Sequence, residues 1–354
     1  MTDSQVTDSS AVVLDTVGMF ALAAELPEQV HEAAEQASGV KVALDPAVIE
    51  NVVVIGMGGS GMAGEVVSAV AAPLLPVPVT VVKSYECPAF VGPESLVFAI
   101  SASGDTEETI QASSDAAAAG AHLVAITTGG RLAELAAAWD APSIPVPGNI
   151  PQPRAALGAM AIPPLVVLEN MGLFRGGRTW IEEAVTQLRR RRDELEAAGA
   201  SSVAAAVARR IGRTMALVHG GGSVGATAAQ RWKTQINENA KAPAWWSAQP
   251  ELCHNEVCGW GQHGDVTRQV ITAVALRHDA EHPQVGRRFE LVGELMREVV
   301  ADVIEVRAEG DGDLAQLFDL ILIGDYVSLW MAAEAGVDPG PVPVLGELKQ
   351  ALSG

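Results

Sequence analysis

The chain has 354 residues, of which 49% are hydrophobic, and it carries a formal net charge of −20 at pH 7. This length suggests two domains of ordinary size, each with a sizeable core. The negative charge excludes nucleic acid as a partner, because binding to a phosphate backbone requires a basic surface. A small anionic substrate is still allowed where a site is locally positive.

The N-terminal residues 1–14 are expected to be disordered, and they lack the basic and apolar regions of a secretory signal. No apolar run reaches the ~18 residues that a bilayer span needs, so no membrane partner is predicted. The three cysteines, Cys87, Cys253 and Cys258, are too few for a disulfide framework. Reduced thiols and a cytoplasmic location are therefore predicted.

The first half of the chain alternates short apolar runs with helical stretches. Helical periodicity covers about residues 12–37, and the alternation begins at Asn51. The apolar runs lie at about 51–56, 78–83, 96–101, 122–127 and 143–147. This pattern predicts an open parallel sheet with helices on both faces. We expect residues 15–150 to form a first domain that includes the N-terminal helices.

Residues 151–200 are predicted to be a crossover and a helical linker. They begin with a proline-rich segment, and a buried helix over 158–173 is expected to be interrupted by Pro163 and Pro164. A charged helix over 179–198 follows. Its four consecutive arginines are most simply a solvated helix face.

The remaining residues, 201–354, repeat the layout of the first domain. An apolar strand over 214–219 ends in a glycine-rich turn with a serine, and further strands are predicted at 268–276 and 300–306. A long apolar helix and a short C-terminal helix complete the unit. Two similar units in tandem indicate an internal duplication. The predicted fold is α/β, with two doubly wound domains whose parallel sheets are flanked by helices.

Two turns that follow buried strands carry the strongest functional signal. The glycine turn, residues 56–61, reads Gly-Met-Gly-Gly-Ser-Gly, and the serine turn, residues 101–106, reads Ser-Ala-Ser-Gly-Asp-Thr. Each turn opens a helix, so free backbone N–H groups and a positive dipole end are available there. Uncharged hydroxyl donors are added by Ser60, Ser101, Ser103 and Thr106. These features predict a site for the phosphate of a small molecule.

The glycine turn also matches a dinucleotide fingerprint at Gly56, Gly58 and Gly61, which is weak when it stands alone. A nicotinamide enzyme would need an acidic residue about 20 residues further on to bind the ribose. Lys83 stands near that place instead, and the serine turn would have no role. Ordinary strand-to-helix turns without a ligand are a second alternative.

The segment 230–243 is the densest in polar groups. Four-residue spacing predicts that three apolar side chains face the core: Trp232, Ile236 and Ala240. Glu238 lies off this stripe, with Lys241 one turn further on. The local sequence fits either a surface Glu238–Lys241 pair at a capped helix end or a carboxylate base in a polar pocket.

His254, in a loop after Pro250, fits either an acid–base group or a hydrogen-bonded loop residue. Cys253, Cys258 and His263 lie close to it and raise the alternative of zinc. Their spacing contains no paired C-x-x-C and no recognised ligand order, so no metal is predicted.

Taken together, six motifs in order resemble the bifunctional phosphoglucose/phosphomannose isomerases, which have the sugar isomerase (SIS) fold. The resemblance covers about residues 15–352. The motifs are Gly-Met-Gly-Gly-Ser-Gly (56–61), Ser-Ala-Ser-Gly-Asp-Thr (101–106), Pro-Arg-Ala-Ala-Leu (153–157), Asn-Glu-Asn-Ala-Lys (237–241), Glu-Leu-Cys-His-Asn (251–255) and Leu-Lys (348–349).

The resemblance implies an aldose–ketose isomerase without cofactor or metal. Arg154 would stabilise an enediolate, Glu238 would move the proton, and His254 and Lys349 would assist ring opening. The sugar phosphate would be bound by Gly59, Ser60, Ser101, Ser103 and Thr106. In the family the histidine comes from the partner subunit, which implies a homodimer with a shared active site.

A non-catalytic phosphosugar-binding regulator on the same fold is the alternative function, and Glu238, Arg154, His254 and Lys349 together favour the enzyme. The chain departs from the family pattern at Asp105, where asparagine is usual, and at Ala102, where a bulkier residue is usual.

Overall fold

The computed structural model describes residues 13–352. Residues 1–12 of the terminus that is predicted to be disordered lie outside the described residues. Residues 353–354 of the second domain also lie outside them. The helices are α1 (Met19–Ala24), α2 (Leu26–Ala37), α3 (Gly58–Ala71), α4 (Glu107–Ala118), α5 (Gly130–Ala138), α6 (Leu157–Asn170), α7 (Gly177–Ala198), α8 (Val203–Ile211), α9 (Gly222–Gln235), α10 (Gly264–Val270), α11 (Pro283–Met296), α12 (Gly312–Ala335) and α13 (Pro343–Leu352). The strands are β1 (Asn51–Ile55), β2 (Val79–Val82), β3 (Ser95–Ser101), β4 (His122–Thr127), β5 (Ser143–Pro145), β6 (Met215–Gly221), β7 (Ala244–Gln249), β8 (Ile271–Arg277) and β9 (Asp302–Arg307).

The strands form two parallel sheets with the same winding. The first has the order β2-β1-β3-β4-β5, and the second has the order β7-β6-β8-β9. In both, the first strand of the unit lies between its second and third, and every pairing is parallel. The prediction of two tandem parallel sheets is confirmed. The division of the chain at residues 150 and 200 stays a prediction.

The central strands are buried because helices cover both faces of each sheet. Along β1, Val52 and Val54 belong to the main hydrophobic cluster, whereas Val53 and Ile55 face a smaller cluster on the other side. The main cluster also contains residues of the second sheet, such as Val218 of β6. The two units therefore share one continuous core.

Helix α12 crosses the middle of this core, in contact with α7, α8 and α9. Among residues 13–352 it is the one helix that is long and apolar enough, by length and composition, to cross a membrane. The sequence prediction had found no stretch of that length. Because 94% of its apolar window is buried inside the protein, its apolar surface is already covered by other helices.

Three local predictions are wrong. Helix α6 runs through Pro163 and Pro164 without interruption, since close packing against α2 and α3 compensates for the missing hydrogen bonds. The arginine run is not wholly solvated, because Arg191 is buried and its Nε lies 2.8 Å from Oδ1 of Asp319 on α12. Strand β7 was not predicted, and β8 begins at residue 271 because residues 264–270 form α10.

Candidate active site

The sheet register brings the two predicted phosphate-binding turns to one edge. Strands β1 and β3 pair in parallel, with Ile55 opposite Ala99, so the chain leaves both strands on the same side of the sheet. The glycine turn then opens α3 and the serine turn opens α4. Two helix N-termini therefore meet at this edge, which is where ligands bind in open parallel sheets.

The serine turn is held in shape by its own hydroxyls. Ser101 Oγ accepts a hydrogen bond from the Gly104 N–H at 3.1 Å and lies 2.9 Å from Thr106 Oγ1. Ser103, which is exposed, accepts from the Asp105 N–H at 3.2 Å. Gly104 has a φ of +76°, and an added Cβ there would overlap the carbonyl oxygen of Gly129. The turn is thus ordered before any ligand binds, which lowers the entropic cost of binding.

Asp105, the acidic departure from the family pattern, interacts with a helix N-terminus. Its Oδ1 accepts a hydrogen bond from the Arg131 N–H at 2.9 Å, in the first turn of α5. A carboxylate is favourable at this end of a helix, where N–H groups lack intrahelical partners. The partial positive charge at the N-terminus of α5 therefore partly balances the negative charge of Asp105.

The glycine turn packs directly against the crossover that carries Arg154. A Cβ added at Gly59 would lie 3.1 Å from both the Arg154 Cα and the Pro153 carbonyl oxygen. Ser60 is buried, and its Oγ donates to the Met160 sulfur at 3.3 Å. The absence of a side chain at Gly59 lets the turn and the arginine approach each other closely.

The buried guanidinium of Arg154 has an acceptor for each of its five N–H donors. These acceptors are Asn239 Oδ1 at 2.8 Å, Gln152 Oε1 at 2.8 Å, Glu238 Oε2 at 3.4 Å, Pro339 O at 2.7 Å and Gly340 O at 2.8 Å. Burial lowers the pKa of Arg154 from its ordinary value, and the nearby Glu238 carboxylate acts in the opposite direction. The contact with Glu238 is the longest of the five, so it is the easiest to share with a ligand.

Glu238 lies on a π-helical turn, Ile236–Ala240, that continues α9. Its side chain is 29% exposed, whereas the neighbouring Asn239 is fully buried. Asn239 accepts from Arg154 and donates to the Ser328 hydroxyl at 2.9 Å. Turns of this kind occur often at functional sites. The predicted core stripe is confirmed, because Trp232, Ile236 and Ala240 are all buried.

Lys241 ends the π-helical turn in the left-handed conformation, with a φ of 54°. Its Nζ donates to the Glu238 backbone carbonyl at 2.7 Å and to the Pro339 carbonyl at 3.1 Å. Burial lowers the pKa of Lys241, and the charge of Arg154 lowers it further. The Glu238 carboxylate pairs with Arg154, so the simple surface Glu238–Lys241 pair is not formed.

His254 and Lys349 are the other two predicted catalytic residues. His254 is exposed on a short helix after β7, and Lys349 is exposed on α13. Among residues 13–352, no hydrogen bond or ion pair joins either of them to Arg154 or Glu238. The fold thus brings the two turns, Arg154 and Glu238 together, and within the described residues neither His254 nor Lys349 is bonded to the Arg154–Glu238 pair.

The loop that carries His254 is anchored through Glu256. His219 Nε2, at the end of β6, lies 2.8 Å from Oε1 of Glu256, and the Ser247 hydroxyl donates to Oε2. Burial raises the pKa of Glu256, but these contacts outweigh it, and the pKa is lowered. His254 is thereby presented from an ordered loop.

The corresponding turn of the second unit begins at Gly221, which packs closely against side chains of its own unit. A Cβ added at Gly221 would lie 2.8 Å from Val285 and 2.9 Å from Phe289, both on α11. His278 is buried, and its Nε2 lies 2.8 Å from the Gly221 carbonyl oxygen. At Gly221, the end of β6, the second glycine-rich turn is therefore closely packed against α11 and His278.

Two protein-family models match this chain. Residues 47–139 match the SIS domain model, and residues 200–352 match the model of the bacterial phospho-glucose isomerase C-terminal SIS domain. A bifunctional phosphoglucose/phosphomannose isomerase from Caldicellulosiruptor bescii is 35% identical over 338 residues, which cover 95% of this chain and 99% of that protein. The chain belongs to the bifunctional phosphoglucose/phosphomannose isomerase family. Its relative from Aquifex aeolicus is 32% identical over 88% of this chain and 93% of that protein.

Solved structures confirm the SIS fold. The C-terminal domain of glucosamine-fructose-6-phosphate aminotransferase from Francisella tularensis aligns with a TM-score of 0.69 and 16% identity, covering 90% of this chain and 96% of that one. Tagatose-6-phosphate ketose/aldose isomerase from Escherichia coli aligns with a TM-score of 0.65 and 16% identity, covering 90% and 93%. At these identities the comparisons show the fold alone.

Sequence reasoning missed several groups around the guanidinium: Gln152, Asn239, Pro339 and Gly340. Asn239 belongs to the Asn-Glu-Asn-Ala-Lys motif, so its residue type was a usable signal. The carbonyl acceptors at 339 and 340 had none, because any residue supplies a backbone carbonyl.

Proposed function

We propose that this protein is an aldose–ketose isomerase that interconverts glucose 6-phosphate and mannose 6-phosphate with fructose 6-phosphate. The observation that carries the proposal is the half-buried Glu238 carboxylate, 3.4 Å from the buried Arg154 guanidinium. Arg154 in turn packs against the glycine turn. The proposed base, a fixed cation and the proposed anion site are therefore neighbours, and membership of the family supports the same function.

Proton transfer between C1 and C2 requires one group that reaches both carbons on the same face of a cis-enediol. A single carboxylate can accept the proton at one carbon and return it at the other, and Glu238 is proposed for this role. Arg154 supplies positive charge where the enediolate oxygen develops, and its Nη1 group can exchange part of its contact with Glu238 for that oxygen. Rotation about C2–C3 of the open chain would allow both aldoses to form.

The phosphate is proposed to bind at the two turns. The backbone N–H group of Gly59, the Ser60 hydroxyl and the hydroxyls of the serine turn would donate to its oxygens. Ser60 Oγ now donates to a sulfur, which is a weak acceptor, so its hydroxyl can turn to a phosphate oxygen at little cost.

We propose that His254 and Lys349 assist ring opening and that the active site is shared within a homodimer. His254 is exposed and is not bonded to Glu238 within residues 13–352 of one chain, which supports a contribution from the partner subunit. Helix α13 exposes an apolar side formed by Val344, Leu345, Leu348 and Leu352. An exposed apolar patch of this kind is typical of an interaction surface. The free cysteines fit the proposed cytoplasmic location.

A product-resolved assay tests the proposal. The purified protein is incubated with fructose 6-phosphate in the presence of a chelator, and glucose 6-phosphate and mannose 6-phosphate are measured separately. We expect both products. Saturable binding of fructose 6-phosphate without either product would contradict the enzyme assignment and favour the regulatory alternative.

A further inference from the structure

Lys241 has a left-handed backbone conformation, which residues other than glycine and asparagine rarely adopt. Among residues 13–352, only Lys241 and Asp140 combine a side chain with a left-handed φ, and both have a φ of 54°. The position after a helix C-terminus favours glycine, because no Cβ clashes there. A lysine at such a position suggests that its side chain does something that glycine could not.

The ammonium group of Lys241 contacts the segment 338–340, which comes from the other end of the chain. Its Nζ donates to the Pro339 carbonyl at 3.1 Å, and Arg154 Nη2 donates to the same oxygen at 2.7 Å. Asp338, which precedes it, accepts from the Thr16 hydroxyl at 2.5 Å. The segment 338–340 is therefore fixed by the side chains of Arg154 and Lys241 and by Thr16.

The segment 338–340 leads directly into α13, the helix that carries Lys349. No residue of α13 is buried, so the packing of one chain does little to fix its orientation. The contacts of Arg154, Lys241 and Thr16 described above constrain the chain just before α13, in the segment 338–340. Whatever holds that segment also sets where α13 begins.

We propose that Lys241 is a positioning residue that holds the segment 338–340 against the active site, so that α13 presents Lys349 to the substrate. This inference rests on the proposed function. Lys241 acts through backbone carbonyls and leaves the Glu238 carboxylate to Arg154. Its substitution therefore separates the placement of the C-terminal segment from proton transfer.

Lys241→Gly is the informative variant because it removes the ammonium group and also relieves the strain of the left-handed backbone conformation. We expect its thermal unfolding temperature to stay level or rise. We expect kcat for cyclic sugar phosphates to fall about tenfold or more, with KM within about threefold, because a small misplacement of a catalytic group is costly. Lys241→Arg should recover most of the activity, since it restores a cationic donor.

Asp140→Gly is the matched control. It makes the same backbone change at the end of α5, away from the site, and should leave turnover at the wild-type level. Lys241→Asn serves if the glycine variant does not fold, because asparagine also tolerates this conformation. Wild-type turnover in Lys241→Gly, or in Lys241→Asn where that replaces it, would overturn the inference.

A double-mutant cycle identifies the route of the effect. If Lys241 acts through Lys349, Lys241→Gly should lower kcat less than about twofold in a Lys349→Ala background. An undiminished loss in that background would place the effect on Glu238 and overturn the proposal.

Hydrogen exchange measured by mass spectrometry separates this inference from the proposed function. Faster exchange of residues 338–352 in Lys241→Gly, but not in Asp140→Gly, supports the positioning role even if the wild type turns over no hexose phosphate. Unchanged exchange in this segment would overturn the positioning role even if activity were lost.

Discussion

The Nη1 group of Arg154 lies 3.4 Å from Oε2 of Glu238, and the two residues are 84 positions apart in the chain. The other acceptors around the guanidinium are at 2.7–2.8 Å, so the arginine is fixed and its link to the carboxylate is the loosest. A fixed cation beside a base with a looser contact can stabilise negative charge that develops during the reaction, because the protein need not reorganise.

Glu238→Gln should abolish isomerisation while substrate binding persists. The amide keeps the size of the side chain and an acceptor for Arg154, but it cannot take a proton. We expect turnover to fall on the order of 10²–10⁴-fold, as for loss of a positioned base. Coupled kinetics and calorimetric binding measure the two effects, and Glu134→Gln, on the exposed face of α5, is the control. Turnover within about tenfold of wild type would remove the proton-transfer role from Glu238.

Ser103→Ala should weaken substrate binding with little effect on folding. The Ser103 hydroxyl is exposed and makes one local hydrogen bond, to the Asp105 N–H. Loss of a hydrogen bond to a charged phosphate should raise KM about tenfold. Steady-state kinetics with fructose 6-phosphate measure it, and Ser114→Ala on α4 is the control. An unchanged KM would show that the serine turn does not bind the phosphate.

Asp105→Ala should destabilise the protein more than it changes substrate affinity. The carboxylate accepts from the first turn of α5, and the loss of such a cap costs about 1 kcal/mol. Asp105→Asn keeps an oxygen acceptor and should recover part of the loss. Denaturant unfolding measures the stability, and KM measures the binding. A KM that drops severalfold in both variants, with stability unchanged, would mean that the carboxylate instead repels the phosphate.

Mixing Glu238→Gln chains with His254→Ala chains should restore activity if the site is shared. A hybrid dimer would contain one site with an intact Glu238 and an intact partner His254. Random pairing of equal amounts should give about a quarter of wild-type activity. Each variant mixed only with itself is the control. No recovery, with subunit exchange shown by mass spectrometry, would contradict a shared site.

The fold was largely predictable because the buried parallel strands are uninterrupted apolar runs. The runs at 51–56 and 96–101 differ from β1 and β3 by no more than one residue at either end. Strand β7 lies at the edge of its sheet with Trp245 and Trp246 partly exposed, so it lacks that pattern. The prediction that Arg191 lies on a solvated helix face was wrong for a related reason. One arginine of a run of four must face the core when the helix is buried on one side.

The sequence pointed to the residues of the candidate site but not to the contacts that join them. Motif residues named Arg154 and Glu238, but the π-helical turn that aims Glu238 has no simple sequence signature. The carbonyls of Pro339 and Gly340 reach Arg154 only because the chain returns to the site at its far end. Contacts of that kind depend on the packing of α12, which no local pattern encodes.

The close packing of Val285 and Phe289 at Gly221 has a consequence for the number of ligands that we expect one copy of the chain to hold. A duplicated fold with two open turns would take up two equivalents of sugar phosphate, and its binding isotherm would report both. Because α11 packs closely against this turn, we expect the duplicated half to contribute walls and loops but no second phosphate site. Calorimetry should therefore give a stoichiometry of one sugar phosphate per chain.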